Sequence, residues 1–317
     1  MPEASVITSV RNGERFIRDT ISSIRHQTFD DWEYIVVDDA STDSTISIVE
    51  DEMREDPRIR LIRRTTSGGP YAAANDGLRE ARGRCVVRID ADDVAVSSRI
   101  ERQVLFLGQT GLRACASHFR EMTSEGKLTS EVGSVSCGVR AMKWRLCVRH
   151  GLTHSSACVE RSAFEEIGGY RSLRASQDLR MWCDLARRDW LGVVPEVLVH
   201  LRRPGGITSA DPSLQEQLAF DAVADHIAAL SPDPWSRDEI RALRPTWTGV
   251  PIRARLDALE RWRSLWRSDP DLSRDDWRDL RRLERRVYLD MARQALRWEG
   301  PSALPGIAVA ASRCVSP

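Results

Sequence analysis

The chain has 317 residues, enough to bury a sizeable core and to hold one large domain and a smaller one. Its 47 basic and 47 acidic residues cancel, so no global field draws it to nucleic acid or to an anionic surface. Seven cysteines with no C-x-x-C pair fit a reducing compartment, no basic-then-apolar leader opens the chain, and no apolar run reaches the roughly 18 residues of a membrane span. The expected setting is cytoplasmic, with peripheral contact at the inner membrane face as the one membrane option. The ending Cys314-Val315-Ser316-Pro317 fails as a prenylation box, because Ser316 is not aliphatic and Pro317 is a poor last residue.

Ser5 to Val10 reads as a first strand and Asn12-Gly13 as the turn that closes it. Between Arg15 and His26, Ile17, Ile21 and Ile24 recur at helical spacing. Trp32 to Val37 is a second buried strand that ends in Asp38-Asp39, followed by the helix-starting run Ser41-Thr42-Asp43-Ser44. A helix with Ile46, Val49 and Met53 comes next, then a short strand Ile59 to Ile62, the Gly68-Gly69 pair and a helix from Pro70 to Ala81. Gly83 ends that helix, and the apolar run Cys85 to Ile89 enters Asp90-Ala91-Asp92-Asp93.

This β-α-β-α-β-α-β order is that of a parallel sheet with helices on its faces, whose ligands sit at the carboxyl ends of the strands. At strand spacing Asp90 and Asp92 fall on one face, roughly 6–7 Å apart. Like charges held that close favour a counter-charge, and a divalent cation, Mg²⁺ or Mn²⁺, supplies one and brings phosphate with it. The plainer alternative is a strand that ends in a solvated acidic turn. Two strands ending in aspartates at the ligand edge weigh toward a ligand, since such carboxylates accept hydrogen bonds from a base N–H or a ribose hydroxyl.

The runs Val6-Ile7-Thr8-Ser9-Val10-Arg11-Asn12-Gly13, Ile21 to Phe29, and Trp32 to Asp43 resemble the family 2 glycosyltransferases of GT-A fold. Gly69, Asn75-Asp76-Gly77-Leu78, Ala81-Arg82-Gly83 and Asp90-Ala91-Asp92-Asp93 continue the pattern in order, over roughly residues 4–105. The resemblance implies an α/β, Rossmann-like and mainly parallel sheet with helices on both faces. It implies that Asp39 holds a nucleotide base with Ser9 and Arg11 beside it, that Asp90 contacts the ribose, and that Asp92 ligates a divalent cation on the diphosphate. Ala74 stands where the family often has Arg before Asn75, which removes one diphosphate contact.

In the second half, Ser98-Arg99-Ile100-Glu101 and Ser162-Ala163-Phe164-Glu165 have capping-box spacing. Residues 111–136 read as strands or irregular structure, 139–149 as helix, Thr153 to Glu160 as a strand, and Gly168-Gly169 as a helix stop. Ser176 suits the N-cap of a helix with Asp178 in its first turn and Leu179, Trp182 and Ala186 facing the core. Alone, Asp178 reads as a helix-start acid. The family resemblance makes it the catalytic base, because Gly168-Gly169-Tyr170, Asp178 and Trp182 match the family's order while Gln177 replaces its usual Glu. His200-Leu201-Arg202-Arg203-Pro204-Gly205-Gly206 resembles the family's Tyr-Arg segment near the phosphates, with Leu201 in place of Tyr and His200 read as structural. The Gln-x-x-Arg-Trp motif of processive synthases is absent, which favours single addition.

Beyond residue 211 the pattern is helical and holds six of the ten tryptophans. Leu256, Leu259, Trp262 and Trp266 form one stripe, Leu280, Leu283, Val287, Met291, Ala295 and Trp298 another, with Ser273 as a cap between them. The sequence therefore divides into a GT-A domain over 1–210 and a helical C-terminal domain over 211–317. Between 253 and 298 there are 13 Arg against 9 acids, which reads first as a solvated face and second as a hold on an anionic membrane or lipid-linked acceptor.

The leading expectation is an inverting, metal-dependent, non-processive transferase that moves a sugar from a nucleotide-diphosphate donor, with UDP-sugar first, to a saccharide or lipid-linked acceptor. The alternative is a catalytically inactive GT-A scaffold that binds nucleotide or a protein partner, for which Ala74, Gln177 and Leu201 speak. Nucleotidyl transfer is disfavoured by the lack of a Gly-rich phosphate loop with its Lys, and a nucleic-acid partner by the zero net charge.

Overall fold

The computed structural model describes residues 1–133, 135, 137–171, 175–203, 212–244, 249–298, 303, 305 and 308. The chain forms two compact units, Met1–Ser136 with Gly151–Gln215, and Cys137–His150 with Glu216–Pro317.

In the first unit, β1 (Ala4–Val10), β2 (Trp32–Asp38), β3 (Ile59–Arg63) and β4 (Cys85–Arg88) lie in the order β3-β2-β1-β4, all parallel. Helices cover both faces of these strands. α1 (Ile17–Arg25), α2 (Thr45–Glu55) and α4 (Arg99–Thr110) pack on the face that carries Val6, Val10, Tyr34, Val36 and Val87. α3 (Pro70–Glu80) covers the other face, so closely that a Cβ on Gly77 would lie 2.6 Å from Ile7 Cγ2 and 3.3 Å from Val37 Cγ2. That contact explains the glycine of the Asn75-Asp76-Gly77 run.

The rest of the sheet is mixed. β5 (Val94–Ala95), β6 (Ala114–Met122), β8 (Cys158–Glu160) and β9 (Leu191–Arg202) extend the order to β3-β2-β1-β4-β8-β6-β9-β5, and β7 (Leu128–Gly133) pairs with β6. β8 runs antiparallel to β4, and only its three residues are strand, because His154–Ser156 form a single 3-10 turn where the sequence predicts a strand from Thr153.

β4 stops at Arg88, so Asp90 and Asp92 do not alternate along a strand as the spacing predicts. Asp90 N donates to Ser155 Oγ at 2.9 Å and Asp93 N to Asp90 O at 3.2 Å, which bends 90–93 into a turn. The predicted capping boxes also give way to tertiary partners. Ser98 precedes α4 without a side-chain cap, and Glu101 accepts from Thr28 Oγ1 instead. Ser162 lies inside α6 (Arg161–Glu166), and its hydroxyl accepts from Arg113 Nη2. Ser176 does precede α7 (Gln177–Ala186), but it takes a left-handed conformation and its Oγ donates to Gln215 O at 3.3 Å.

The second unit is helical. α5 (Val139–Val148) belongs to it although it precedes much of the sheet in the chain, together with α8 (Pro212–Leu230) from Glu216 on, α9 (Arg237–Leu243), α10 (Ile252–Arg267) and α11 (Arg274–Trp298). Trp262, Trp266, Leu280, Val287 and Met291 are fully buried, and Trp262 Nε1 donates to Trp144 O of α5 at 3.0 Å. Ser273 caps α11 as read: its N donates to Asp276 Oδ2 at 3.0 Å and its Oγ accepts from Asp276 N at 3.1 Å. Trp298, read as part of the buried stripe, is 66% exposed at the helix end. Trp247, the run Pro204-Gly205-Gly206 and the 210/211 boundary lie outside the described residues. No described helix is long and apolar enough to cross a membrane.

Candidate active site

Val10 of β1 is opposite Asp38 of β2, which brings Ser9, Arg11 and Asp39 together at the carboxyl edge of the sheet. The acidic pair divides its work. Asp38 Oδ2 accepts from Ser41 N at 3.0 Å and shapes the turn after β2. Asp39 accepts from Ser67 Oγ at 2.7 Å, Gly68 N at 2.9 Å and Gly69 N at 3.0 Å, and Arg64 Nε is 2.9 Å away. Burial pushes the Asp39 pKa up, but these hydrogen bonds and the Arg64 charge outweigh it and hold the carboxyl below 3.8. Asp39 thus places a negative charge at the amino end of α3, which begins after Gly69. The sequence reading gave Asp39 to a base and missed this set of donors.

Arg11 Nη1 donates to the same Ser67 Oγ at 3.2 Å. Ser9 Oγ is buried without a hydrogen-bond partner among the described residues. A buried, unsatisfied hydroxyl beside Asp39 is where a polar atom of a ligand fits.

The 90–93 turn follows β4, next to β1. Asp90 is flanked by His154 Nδ1 at 3.5 Å and by Arg88 Nη2 at 3.6 Å, and Arg88 is itself buried with Nη1 on Ile7 O at 2.9 Å. Burial pushes Asp90 up, but the hydrogen bond and charge of His154 and the charge of Arg88 prevail and hold it at about 2. Asp93 is 1% exposed, with its carboxylate on Ser155 Oγ and on Arg202 N at 2.9 Å. Arg202 also donates through Nε to Asp92 O at 2.8 Å and through Nη1 to Ser124 O at 2.9 Å. The arginine of the phosphate-segment resemblance therefore braces the acidic turn.

Asp92 makes no side-chain hydrogen bond to another described residue. Burial and the charge of Asp90 raise its pKa, while burial and the charges of both Asp90 and Asp92 raise that of Asp93. A carboxylate without a protein partner, repelled by its neighbour, fits a hard divalent cation. Among the described residues no group of three or more His, Cys, Asp or Glu side chains forms a cage. A cation here would complete its shell with water and phosphate oxygens, as Mg²⁺ commonly does.

Asp178 lies half-buried in the first turn of α7, and the acidic turn is joined by two residues that the sequence reading did not assign to it. The Tyr170 hydroxyl and His154 Nε2 share a hydrogen bond of 2.7 Å, with the rings edge-on at 5.3 Å. Burial raises the Tyr170 pKa, Arg88 opposes that, and the charges of Asp90 and Asp178 add to it, so the phenol stays protonated. Asn75 fixes the chain at Tyr170 with both ends of its amide, Nδ2 donating to Tyr170 O at 2.7 Å and Oδ1 accepting from Tyr170 N at 2.9 Å. The motif residue Asn75 was visible in the sequence, but its partner 95 positions on was not.

A parallel sheet carrying these aspartates at its carboxyl edge, continued by mixed strands, has the architecture of a GT-A glycosyltransferase. The family model described as Glycosyl transferase family 2 matches residues 5–168, just over half of the chain, and the chain belongs to that family. It is 28% identical over 228 residues to an uncharacterized glycosyltransferase of Haemophilus influenzae, a match to 66% of this chain and 68% of that one. Across the first curated relatives the chain spans between 45% and 68% of their length. Its fold is similar to that of residues 1–349 of S. aureus TarS in complex with UDP-GlcNAc, with a TM-score of 0.61 at 17% identity over 89% of this chain and 90% of that one. It is also similar to the mannosyltransferase PcManGT from Pyrobaculum calidifontis in complex with GDP-Man and Mn²⁺, with a TM-score of 0.53 at 20% identity over 98% and 75% of the two chains.

Proposed function

We propose that the first unit transfers a sugar from a nucleotide-diphosphate donor, UDP-sugar first, to a hydroxyl of a saccharide or lipid-linked acceptor, with inversion and one addition at a time. The observation that carries this reading is the set of polar groups at the carboxyl edge of the sheet, Ser9, Arg11 and Asp39 after β1 and β2 and the 90–93 turn after β4, where His154 ties Asp90 to Tyr170. The complexes of TarS with UDP-GlcNAc and of PcManGT with GDP-Man and Mn²⁺ support a nucleotide-sugar donor and a divalent cation.

In this reading Ser9 Oγ, Arg11 and Asp39 hold the nucleoside, and Asp90, kept ionised by His154 and Arg88, accepts from a ribose hydroxyl. Asp92 would hold a divalent cation, Mn²⁺ or Mg²⁺, which neutralises charge on the departing diphosphate. Asp178 takes the proton of the acceptor hydroxyl as its oxygen attacks the anomeric carbon, and the nucleotide diphosphate leaves from the opposite face. The non-catalytic scaffold keeps one observation in its favour, the occupation of the Asp39 carboxylate by the chain's own donors.

Titration calorimetry of UDP, GDP and CDP with and without Mn²⁺ tests the reading. Tight binding of one diphosphate that needs the cation, and weakens in Asp39→Ala, is the expected result. Equal, cation-independent and weak heats for all three would contradict it.

A further inference from the structure

Helix α11 carries apolar residues on two sides. Its inner stripe, Leu280, Leu283, Val287 and Met291, is buried. Its outer side exposes Arg278, Arg282, Arg285, Arg286 and Arg293, and between them Leu289 at 52% and Leu296 at 44% exposure. At helical spacing those seven positions share one arc of about 100°. Single exposed leucines are ordinary. Two of them, two turns apart in the middle of an arginine face, form a patch with both charge and apolar area.

The arginines of this face are only partly neutralised. Arg278, Arg282 and Arg293 each have an aspartate within a turn, at 2.9 Å for Asp275 and 3.9 Å for Asp279 and Asp290. Asp290 is shared with Arg149 of α5. Arg285 and Arg286 form no ion pair with a described residue. Beside them Arg145 of α5 is 9% exposed, and its guanidinium makes no hydrogen bond or ion pair with a described residue. Burial lowers its pKa, Cys137 opposes that, the charges of Arg149 and Arg286 lower it further, and Asp279 opposes them.

We propose that the outer face of α11, with Arg149 beside it, docks on an anionic phospholipid membrane. Head-group phosphates answer Arg149, Arg285 and Arg286, while Leu289 and Leu296 enter the boundary of the acyl chains. A nucleic acid would use the arginines but leave the leucines in water, whereas the boundary of an anionic membrane takes up both. The inference does not rest on the donor reading, since vesicle binding is measured without turnover.

The test is flotation of the full chain with vesicles of phosphatidylcholine alone, and with vesicles that contain about 30% phosphatidylglycerol. The protein should float with the anionic vesicles only, and salt of about 0.5 M should release it. Arg285→Glu with Arg286→Glu, and separately Leu289→Glu with Leu296→Glu, should each lower partitioning by about tenfold or more. Arg285→Lys with Arg286→Lys should keep most of it. All four side chains are exposed, so melting curves should stay within about 2 °C of wild type and exclude misfolding as the cause. No preference for anionic vesicles, or full retention in either Glu pair, overturns the proposal. So does tight binding of single-stranded RNA that only the arginine pair abolishes, which would assign the face to nucleic acid.

Discussion

Replacing Asp39 by Asn keeps the size of the side chain and removes its charge. The native carboxylate accepts from Ser67 Oγ, Gly68 N and Gly69 N and pairs with Arg64. An amide offers one acceptor oxygen and turns its NH₂ toward at least one of those donors. Hydrogen bonds to a charged group contribute about 1.5–3 kcal/mol each, so losing one of the set should cost about 2–3 kcal/mol. In a unit of about 200 residues that lowers Tm by about 4–12 °C. The sign of the pH dependence follows from the direction of the shift. Asp39 is held below its ordinary value of 3.8, so its stabilisation is complete above that pH and is lost as pH falls through the lower folded value. Calorimetric melts of wild type and Asp39→Asn should show a constant gap at neutral pH that closes below 3.8. A neutral-pH gap under about 0.5 kcal/mol, or one that widens in acid, would refute the structural role given to this carboxylate.

Two further outcomes follow from the same centre. Asn75→Ala strands the Tyr170 N–H and C=O that it now satisfies, and should destabilise the protein by about 2–4 kcal/mol in urea titration; a loss within about 0.5 kcal/mol would mean that water or a relaxed loop replaces the amide. Asp92→Asn relieves the repulsion from Asp90, so the metal-free fold should be no less stable, while the Mn²⁺ dependence of nucleotide-diphosphate binding should vanish; unchanged Mn²⁺ dependence would move the cation elsewhere.

The parallel half of the sheet was readable because its strands are buried on both faces, which leaves continuous apolar runs such as Tyr34 to Val37. The carboxyl-edge aspartates were readable for the same reason, since polarity changes abruptly where each run ends. What the sequence did not carry was competition from distant partners. Ser98 and Ser162 have capping-box spacing, yet Thr28 and Arg113 take the groups that would have closed the boxes. Nothing near Asp39 announces that Ser67, Gly68 and Gly69 will fill its carboxylate from 28 to 30 residues away. His154 looked like part of a strand, and only the fold sets it between Asp90 and Tyr170. Helix α5 was recognised as a helix, but its partnership with α10 and α11 depends on contacts such as Trp262 Nε1 to Trp144 O, 118 positions apart.

The central claim is that Asp178 activates an acceptor while the other aspartates hold the donor, and turnover of the Asp178→Asn variant tests it most directly. With UDP-sugars, Mn²⁺ and an acceptor panel, release of nucleotide diphosphate is followed beside direct binding of the same nucleotide. The account predicts that Asp178→Asn binds nucleotide as wild type does, since the contacts proposed for it lie at the ends of β1 and β2 and in the 90–93 turn, while acceptor-dependent transfer falls by about 10²–10⁴. Wild-type transfer by Asp178→Asn with normal nucleotide binding would contradict it and remove Asp178 from the mechanism.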